Sequence, residues 1–84
     1  MHEYSIVSAL VGRVEDVVAS HPGAIVRRVH VQVGDYAGVE IELLRTAYDT
    51  FRERTVCEAA ELAIEAVTGD ELMLARVEME VPDV

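Results

Sequence analysis

Residues 24–34 read AIVRRVHVQVG, and the alternation of apolar and polar side chains in this stretch decides the fold class. One side of the stretch carries Val29, Val31 and Val33. The other side carries Arg28, His30 and Gln32. Successive side chains of a β-strand point to opposite faces of the sheet, so this pattern is typical of a strand with one buried face. We therefore predict a β-strand from Ala24 to Gly34.

Helical periodicity lies on both sides of this strand. From Tyr4 to Ser20 apolar residues recur every three or four positions, which predicts an amphipathic helix that His21-Pro22-Gly23 ends. Its apolar positions are Val7, Leu10, Val11, Val14, Val17 and Val18. A second helix is predicted from about Val39 to Arg54. Its apolar positions are Leu43, Leu44, Ala47, Tyr48 and Phe51.

Two more strands are predicted toward the carboxyl end. The first runs from Glu61 to Val67, with Leu62 and Ile64 on its apolar side. The second runs from Glu71 to Val81, and its apolar side is formed by Met73, Ala75, Val77, Met79 and Val81. Thr68-Gly69-Asp70 between them is typical of a tight turn, so we expect these two strands to form a hairpin.

The order of elements is helix, strand, helix, strand, strand. Because each strand has one apolar face, we expect a two-layer α/β fold in which both helices cover the same face of a three-stranded mixed sheet. The first two strands should be parallel, and the position of the third strand stays open. An unpaired sheet edge would remain in either case, so a homodimer formed by strand pairing or by an exchanged element is expected.

Composition excludes several classes of protein. A chain of 84 residues is long enough for one modest core. The formal charge of −9 argues against nucleic acid as a partner, since phosphate binding needs a positive face. Cys57 is the single cysteine, which excludes an internal disulfide and a Cys-x-x-Cys zinc site and indicates a reducing compartment. No apolar run is long enough to span a membrane, so a cytoplasmic protein is expected.

Four segments of the chain resemble one family. They are MHEYSIVSALV at residues 1–11, VRRVHVQVGDYAGVE at 26–40, ELLRTAYDTF at 42–51 and AELAIEAV at 60–67. In order and in content they are similar to the nickel-binding domain of the HypA/HybF proteins, which deliver nickel during maturation of [NiFe] hydrogenase. The resemblance implies that Ni(II) is held by Met1, His2 and Glu3. It also implies the maturation GTPase and the hydrogenase large subunit as partners.

The donor chemistry of these three residues suits Ni(II), which accepts a square-planar set of nitrogen ligands. Met1 offers its α-amine, and His2 offers its backbone amide and its imidazole, once a metal ion has displaced their protons. The fourth donor could be the Glu3 amide, as the resemblance implies, a water molecule or a group from a partner protein. The Glu3 carboxylate could then accept a hydrogen bond near the metal.

The chain departs from the family pattern in one respect. Members usually carry a zinc domain with two Cys-x-x-Cys pairs between the last two strands, and here Thr68-Gly69-Asp70 takes its place. We therefore expect residues 1–84 to form a single nickel-binding domain without zinc. Whether this is a natural short form or a domain deletion stays open, and so does the alternative that the protein is an interaction or regulatory module that retained the fold.

Other reactive side chains have simpler roles. We expect His21 to cap the end of the first helix, His30 to lie on the solvated face of its strand, and Met73 and Met79 to belong to the core. No nucleophile and base pair and no glycine-rich phosphate loop is recognisable, so an enzyme is not expected.

Overall fold

The computed structural model describes residues 3–82 and contains five elements in the expected order. They are α1 (Glu3–Ala19), β1 (Ile25–Gly34), α2 (Ile41–Phe51), β2 (Glu61–Val67) and β3 (Leu72–Glu80). Their ends differ from the predicted ones by a few residues at most. No helix in this part of the chain is long and apolar enough to cross a bilayer.

The strand predicted from alternation, β1, is the central strand of the sheet, whose order is β2-β1-β3. It pairs in parallel with β2 and antiparallel with β3, so the predicted three-stranded mixed sheet is confirmed. The apolar face of this central strand is buried along most of its length. The side chains of Val26, Val29, Val31 and Val33 are at most 3% exposed.

The predicted hairpin between the last two strands is wrong. β2 and β3 lie on opposite sides of β1 and do not pair with each other. The segment 68–71 therefore crosses the end of β1. It is held there by hydrogen bonds from the Gly34 N–H to the Glu71 carbonyl (2.8 Å) and from the Tyr36 N–H to the Gly69 carbonyl (2.8 Å). Turn residues predict that a chain reverses, but they do not predict whether another strand lies between its two arms.

The predicted phase of β3 is wrong in its first half. Leu72 and Leu74 pack against the core, whereas Met73 is 50% exposed and Ala75 is exposed. The cause is a bulge, since His30 pairs with Arg76 but Val31 pairs with Leu74, which leaves Ala75 as the extra residue. One extra residue in a strand moves each side chain that precedes it to the opposite face of the sheet.

A second bulge, in β1, separates Val26 from Val29. Val26 pairs with Met79 and Arg28 with Glu78, so Arg27 has no partner in β3. Both valines consequently face the helices although they are three positions apart. Strict alternation would have placed Val26 on the solvated face.

Both helices cover the face of the sheet that carries the buried valines, as expected. The remaining core residues are Val7, Leu10, Val11, Val14, Leu44, Ala47, Tyr48, Cys57 and Ala60. Two predicted core positions in the helices are wrong, because Val17 is 37% exposed and Leu43 is 50% exposed, and Val81 on the predicted apolar side of the last strand is 53% exposed. A sheet of three strands is narrow, so only the centre of each apolar stripe is covered.

Candidate metal site

Glu3 is the first residue of α1 and is half-buried. Met1 and His2, the other two predicted nickel ligands, lie outside the described residues. The first four N–H groups of a helix have no carbonyl partner within that helix, and the amide of Glu3 is one of them. An acidic side chain at this position is also favoured by the helix dipole.

The amino-terminal end of α1 lies at the end of the sheet where β1 stops. Ile6 in the first turns of α1 and Leu72 at the start of β3 line the same shallow groove. Leu72 directly follows the crossing segment 68–71, which is bonded to Gly34 at the end of β1. Glu3 is therefore near the place where, by the resemblance stated above, the zinc domain would be inserted.

The backbone of Gly34 touches the backbone of the crossing segment. A Cβ atom on Gly34 would lie 2.3 Å from the Gly69 carbonyl oxygen, which no real contact allows. The carboxylate of Asp35 accepts a hydrogen bond from the Gly69 N–H (Oδ1 to N 3.0 Å), and the Asp35 N–H donates to the Val67 carbonyl (2.9 Å). Val33-Gly34-Asp35, part of the resemblance, thus has a structural role, which is to attach the crossing segment to β1.

His21 caps the carboxyl end of α1, as predicted. Its Nδ1 atom lies 3.2 Å from the Val17 carbonyl oxygen. Because α1 has 17 residues and a helix rises about 1.5 Å per residue, His21 is about 25 Å from Glu3. His21 is therefore too distant to share a metal ion with the amino-terminal residues.

His30 lies on the outer face of the sheet, also as predicted. Its Nε2 atom contacts the carboxylate of Glu78, and the Arg76 guanidinium is 3.2 Å from the same nitrogen. The hydrogen bond with His30 holds the pKa of Glu78 below its usual value. The helices cover the opposite face of the sheet, so this cluster is separated from Glu3 by the sheet and the core.

Cys57 is a core residue. Its side chain is fully buried against Tyr48, whose hydroxyl donates to the Ala60 carbonyl at 2.9 Å. Burial raises the pKa of the Cys57 thiol and also that of the Tyr48 hydroxyl. A protonated, inaccessible thiol is neither a metal ligand nor a nucleophile.

Residues 3–82 contain no group of three or more histidine, cysteine, aspartate or glutamate side chains that could hold a metal ion. The predicted nickel ligands are of another kind, namely the amine of Met1, the imidazole of His2 and backbone amides.

The chain matches one known protein family over nearly its whole length. A family described as "Hydrogenase/urease nickel incorporation, metallochaperone, hypA" matches residues 1–79. The chain belongs to the HypA family. The match includes Met1, His2 and Glu3, and the resemblance stated from the sequence is confirmed.

Individual HypA proteins are similar over most of this chain. The hydrogenase maturation factor HypA of Shewanella baltica is 46% identical over 65 residues, which cover 77% of this chain and 56% of that protein. The HypA of Aquifex aeolicus is 45% identical over the same length and the same shares. The chain thus spans about half the length of the curated HypA relatives that it matches.

A solved HypA structure has the same fold. The solution structure of the nickel metallochaperone HypA from Helicobacter pylori superimposes with a TM-score of 0.85 at 25% identity, covering 98% of this chain and 100% of that chain. A second solution structure of a HypA protein gives a TM-score of 0.64 at 25% identity, with 99% and 93% covered. The two-layer fold is therefore that of HypA.

The sequence did not predict one feature of this end of the molecule, namely that Gly34 and Asp35 at the end of β1 both contact Gly69. Two glycines that follow strands were visible in the sequence. The hairpin interpretation assigned Gly69 to a tight turn between two paired strands, which left no reason to expect a contact between Gly69 and β1.

Proposed function

We propose that this protein is a nickel metallochaperone that holds Ni(II) at Met1, His2 and Glu3 and passes it on during maturation of [NiFe] hydrogenase. The observation that carries the proposal is the position of Glu3 as the first residue of α1 in a HypA-family chain. This position leaves the Glu3 amide without an intrahelical acceptor, so a metal ion can replace its proton without breaking the helix.

The charges in such a site balance. Two deprotonated amides, of His2 and Glu3, would cancel the charge of Ni(II), while the Met1 amine and the His2 imidazole bind as neutral donors. A neutral complex is not repelled by the positive end of the α1 dipole. Four nitrogen donors also match the square-planar geometry that Ni(II) accepts.

Release is as important as binding in a carrier. The Glu3 amide is the donor that belongs to the folded helix, and either a water molecule or a group from the receiving protein could replace it at the fourth position. We propose the hydrogenase maturation GTPase and the hydrogenase large subunit as partners. No catalytic step is assigned to this chain, whose role is to carry an ion.

We further propose that residues 1–84 act as one nickel-binding domain without a structural zinc ion. The chain has a single cysteine, Cys57, and that residue is buried in the core. The crossing segment 68–71 closes the gap between β2 and β3 by hydrogen bonds to the end of β1. The domain therefore has a complete core without an inserted zinc loop.

Titration of the protein with Ni(II) tests this function. We expect one equivalent to bind to a chain whose amine at Met1 is free, and binding to weaken as acid protonates the imidazole, the amine and the amides. A matched variant carries a Gly-Ser extension before Met1, which converts the amine into an amide and moves His2 away from the chain end. Equal affinity for both proteins would contradict the proposed site.

The alternative function, an interaction or regulatory module that retained the fold, gives the opposite result. Such a protein would tolerate the extension in every assay, and removing the His2 imidazole would change no partner interaction. Pull-down of the maturation GTPase by both proteins, with and without nickel, separates these two functions.

A further inference from the structure

Two arginines, Arg45 in α2 and Arg52 at its C-cap, lie along the edge of β2 that does not pair with β1. The Arg45 guanidinium donates to the Leu62 carbonyl (3.4 Å), and the Arg52 guanidinium donates to the Ala60 carbonyl (2.9 Å). Alternate residues of a strand are about 6.6 Å apart, so the two guanidinium groups are held at about that spacing. The groove between α2 and β2 has a volume of about 260 Å³ and is lined by Arg45, Tyr48, Asp49, Arg52, Glu61 and Leu62.

Neither guanidinium in this groove makes a hydrogen bond to a carboxylate of residues 3–82. The carboxylates of Glu42 and Asp49 lie 4.0 Å from Nε of Arg45 and 3.9 Å from Nε of Arg52, and these distances are too long for hydrogen bonds. The chain has 16 acidic residues and 7 arginines, so a shortage of carboxylates does not explain this. Each guanidinium has five N–H donors, of which one is used on the edge of β2, and the others are available to a ligand.

The guanidinium of Arg52 is fixed more firmly than cover of the strand edge requires. The Ala60 carbonyl already accepts a hydrogen bond from the Tyr48 hydroxyl at 2.9 Å. The Arg52 guanidinium also lies over the Tyr48 ring, 5.7 Å from its centroid, and Tyr48 is 1% exposed. The cation–π contact and the hydrogen bond orient the planar group before any ligand arrives. Such preorganisation favours binding, because less side-chain entropy is then lost.

We propose that this groove binds a carboxylate group on a short carbon chain, with one guanidinium on each side of it. A carboxylate can accept about four hydrogen bonds, and its geometry matches the fork of a guanidinium. Two hydrogen bonds of about 2.9 Å, one to each oxygen, together with the width of the carboxylate span a gap of about 6.6 Å. The β2 edge is on the other side of the sheet from β3, whose start lies near Glu3, so this binding requires no nickel.

The rest of the lining selects a singly charged ligand with some apolar surface. The side chains of Asp49 and Glu61 are 69% and 74% exposed at the groove, and the formal charge of the chain is −9. These negative charges repel a doubly charged phosphate about twice as strongly as a carboxylate. Tyr48 and Leu62 line the same groove and can contact a short carbon chain. The lining therefore favours a carboxylate over a phosphate.

NMR titration of the nickel-free protein with propionate, at constant ionic strength, tests the proposal. We expect saturable shifts of the Nε–H signals of Arg45 and Arg52, with a dissociation constant in the millimolar range because few ligand atoms contribute. Arg45→Gln and Arg52→Gln should each weaken binding at least tenfold. The matched control is Arg13→Gln, which removes the same charge from the groove between α1 and β3 and should leave the dissociation constant unchanged.

The control distinguishes a binding site from a general effect of charge, because all three variants lose one positive charge. Arg52→Lys keeps the charge but lacks the fork, so it should also bind propionate more weakly. Circular dichroism of each variant reports its fold, and the Arg45→Gln comparison stands even if the Arg52 variants are unstable. Shifts that rise linearly with propionate up to about 100 mM, without saturation, would overturn the proposal. Equal weakening by Arg13→Gln, or tighter binding of phosphate than of propionate, would overturn it as well.

Propionate also has the structure of the end of a glutamate side chain, so the carboxylate could belong to a free organic acid or to another protein. The same titration with a short amidated and acetylated peptide that carries one glutamate distinguishes these sources. Tighter binding of the peptide would support the proposal with a glutamate of a partner protein as the ligand. Equal or tighter binding of propionate would support it with a free organic acid as the ligand.

Discussion

Replacing Gly34 with alanine would place a methyl group against the backbone of the crossing segment 68–71. An ideal Cβ on Gly34 lies 2.3 Å from the Gly69 carbonyl oxygen, 2.5 Å from the Gly69 carbonyl carbon and 3.0 Å from the Asp70 nitrogen. All three are backbone atoms, so the clash cannot be relieved by the movement of a side chain. The crossing segment itself must shift, and with it the hydrogen bonds that attach it to the end of β1.

The expected loss of stability follows from two contributions. Forcing an extra methyl group into a packed site costs about 1–3 kcal/mol. Three backbone hydrogen bonds join Gly34, Asp35 and Tyr36 to Glu71, Val67 and Gly69, respectively, and each that is lost costs about 0.5–1.5 kcal/mol. If one bond breaks and the others adjust, the total is about 2–4 kcal/mol. A domain of this size has a free energy of unfolding of about 4–12 kcal/mol, so the change should be plainly measurable.

Urea unfolding followed by circular dichroism measures this change. Gly12→Ala is the matched control, because a Cβ on Gly12 meets nothing within 4 Å and this glycine is inside α1. The same chemical substitution should therefore stabilise the protein by about 0.5–1 kcal/mol at Gly12. At about 4–8 °C per kcal/mol, the two variants should also differ clearly in melting temperature.

The contrast between the two alanine variants decides whether the crossing segment is correctly placed. A loss below about 0.5 kcal/mol for Gly34→Ala would mean that the Cβ has free space there, and hence that segment 68–71 does not pass over the end of β1. That result would favour the hairpin expected from the sequence. A loss of similar size at Gly12 would instead show that the assay responds to any change at glycine.

Three further predictions concern other parts of the chain. Arg54 has a positive φ of 63°, so Arg54→Gly should stabilise the protein to urea by about 0.5–1 kcal/mol, and a loss of stability would contradict this conformation. Leu44→Ala should cost about 2–5 kcal/mol because Leu44 is fully buried, whereas Leu43→Ala, at a 50% exposed neighbour, should cost under about 1 kcal/mol; equal losses would mean that the helix phase is wrong. The hydrogen bond with His30 lowers the pKa of Glu78 from its usual 4.5, so its ionised form stabilises the fold above that pH and this contribution disappears as the pH falls through the lowered value. Glu78→Gln should therefore flatten the acid side of the stability profile, and an unchanged profile would exclude this contact.

Periodicity predicted the helices and strands of this fold well because buried positions recur at the repeat of each element. Val29, Val31 and Val33 alternate without interruption, and all three are buried on the helix side of β1. The stripe that includes Val7, Leu10, Val11 and Val14 likewise predicted the buried face of α1. In both cases the physical cause is the same, since a repeat of two or of 3.6 residues places apolar groups on one side.

The strand order could not be predicted in the same way. Thr68-Gly69-Asp70 suits a tight turn, but a turn sequence is local and the position of β1 between β2 and β3 is a property of the whole sheet. The bulges had the same effect on a smaller scale. Nothing in the residue types around Ala75 distinguishes it from an ordinary strand residue, so the exposed position of Met73 was not predictable from alternation.

The candidate metal site depends mainly on the resemblance. Residue types alone provide an amine, an imidazole and backbone amides near Met1 and His2, and this set is common at chain ends. The family match adds the association with nickel, and the structure adds the position of Glu3 at the start of α1. His21 and His30 could be assigned to structural roles from the sequence, because one follows a helix and the other lies on a solvated strand face.

The absorption spectrum of the nickel-loaded protein, compared between His2→Ala and His21→Ala, tests the central claim most directly. We predict that the chain beginning at Met1 binds one Ni(II) with the spectrum of a diamagnetic square-planar complex, that His21→Ala leaves this spectrum unchanged, and that His2→Ala abolishes it. The fold of His2→Ala, followed by circular dichroism, should be retained because position 2 precedes α1. Nickel binding of equal strength and with the same spectrum in His2→Ala would contradict the assignment of the metal site to Met1, His2 and Glu3.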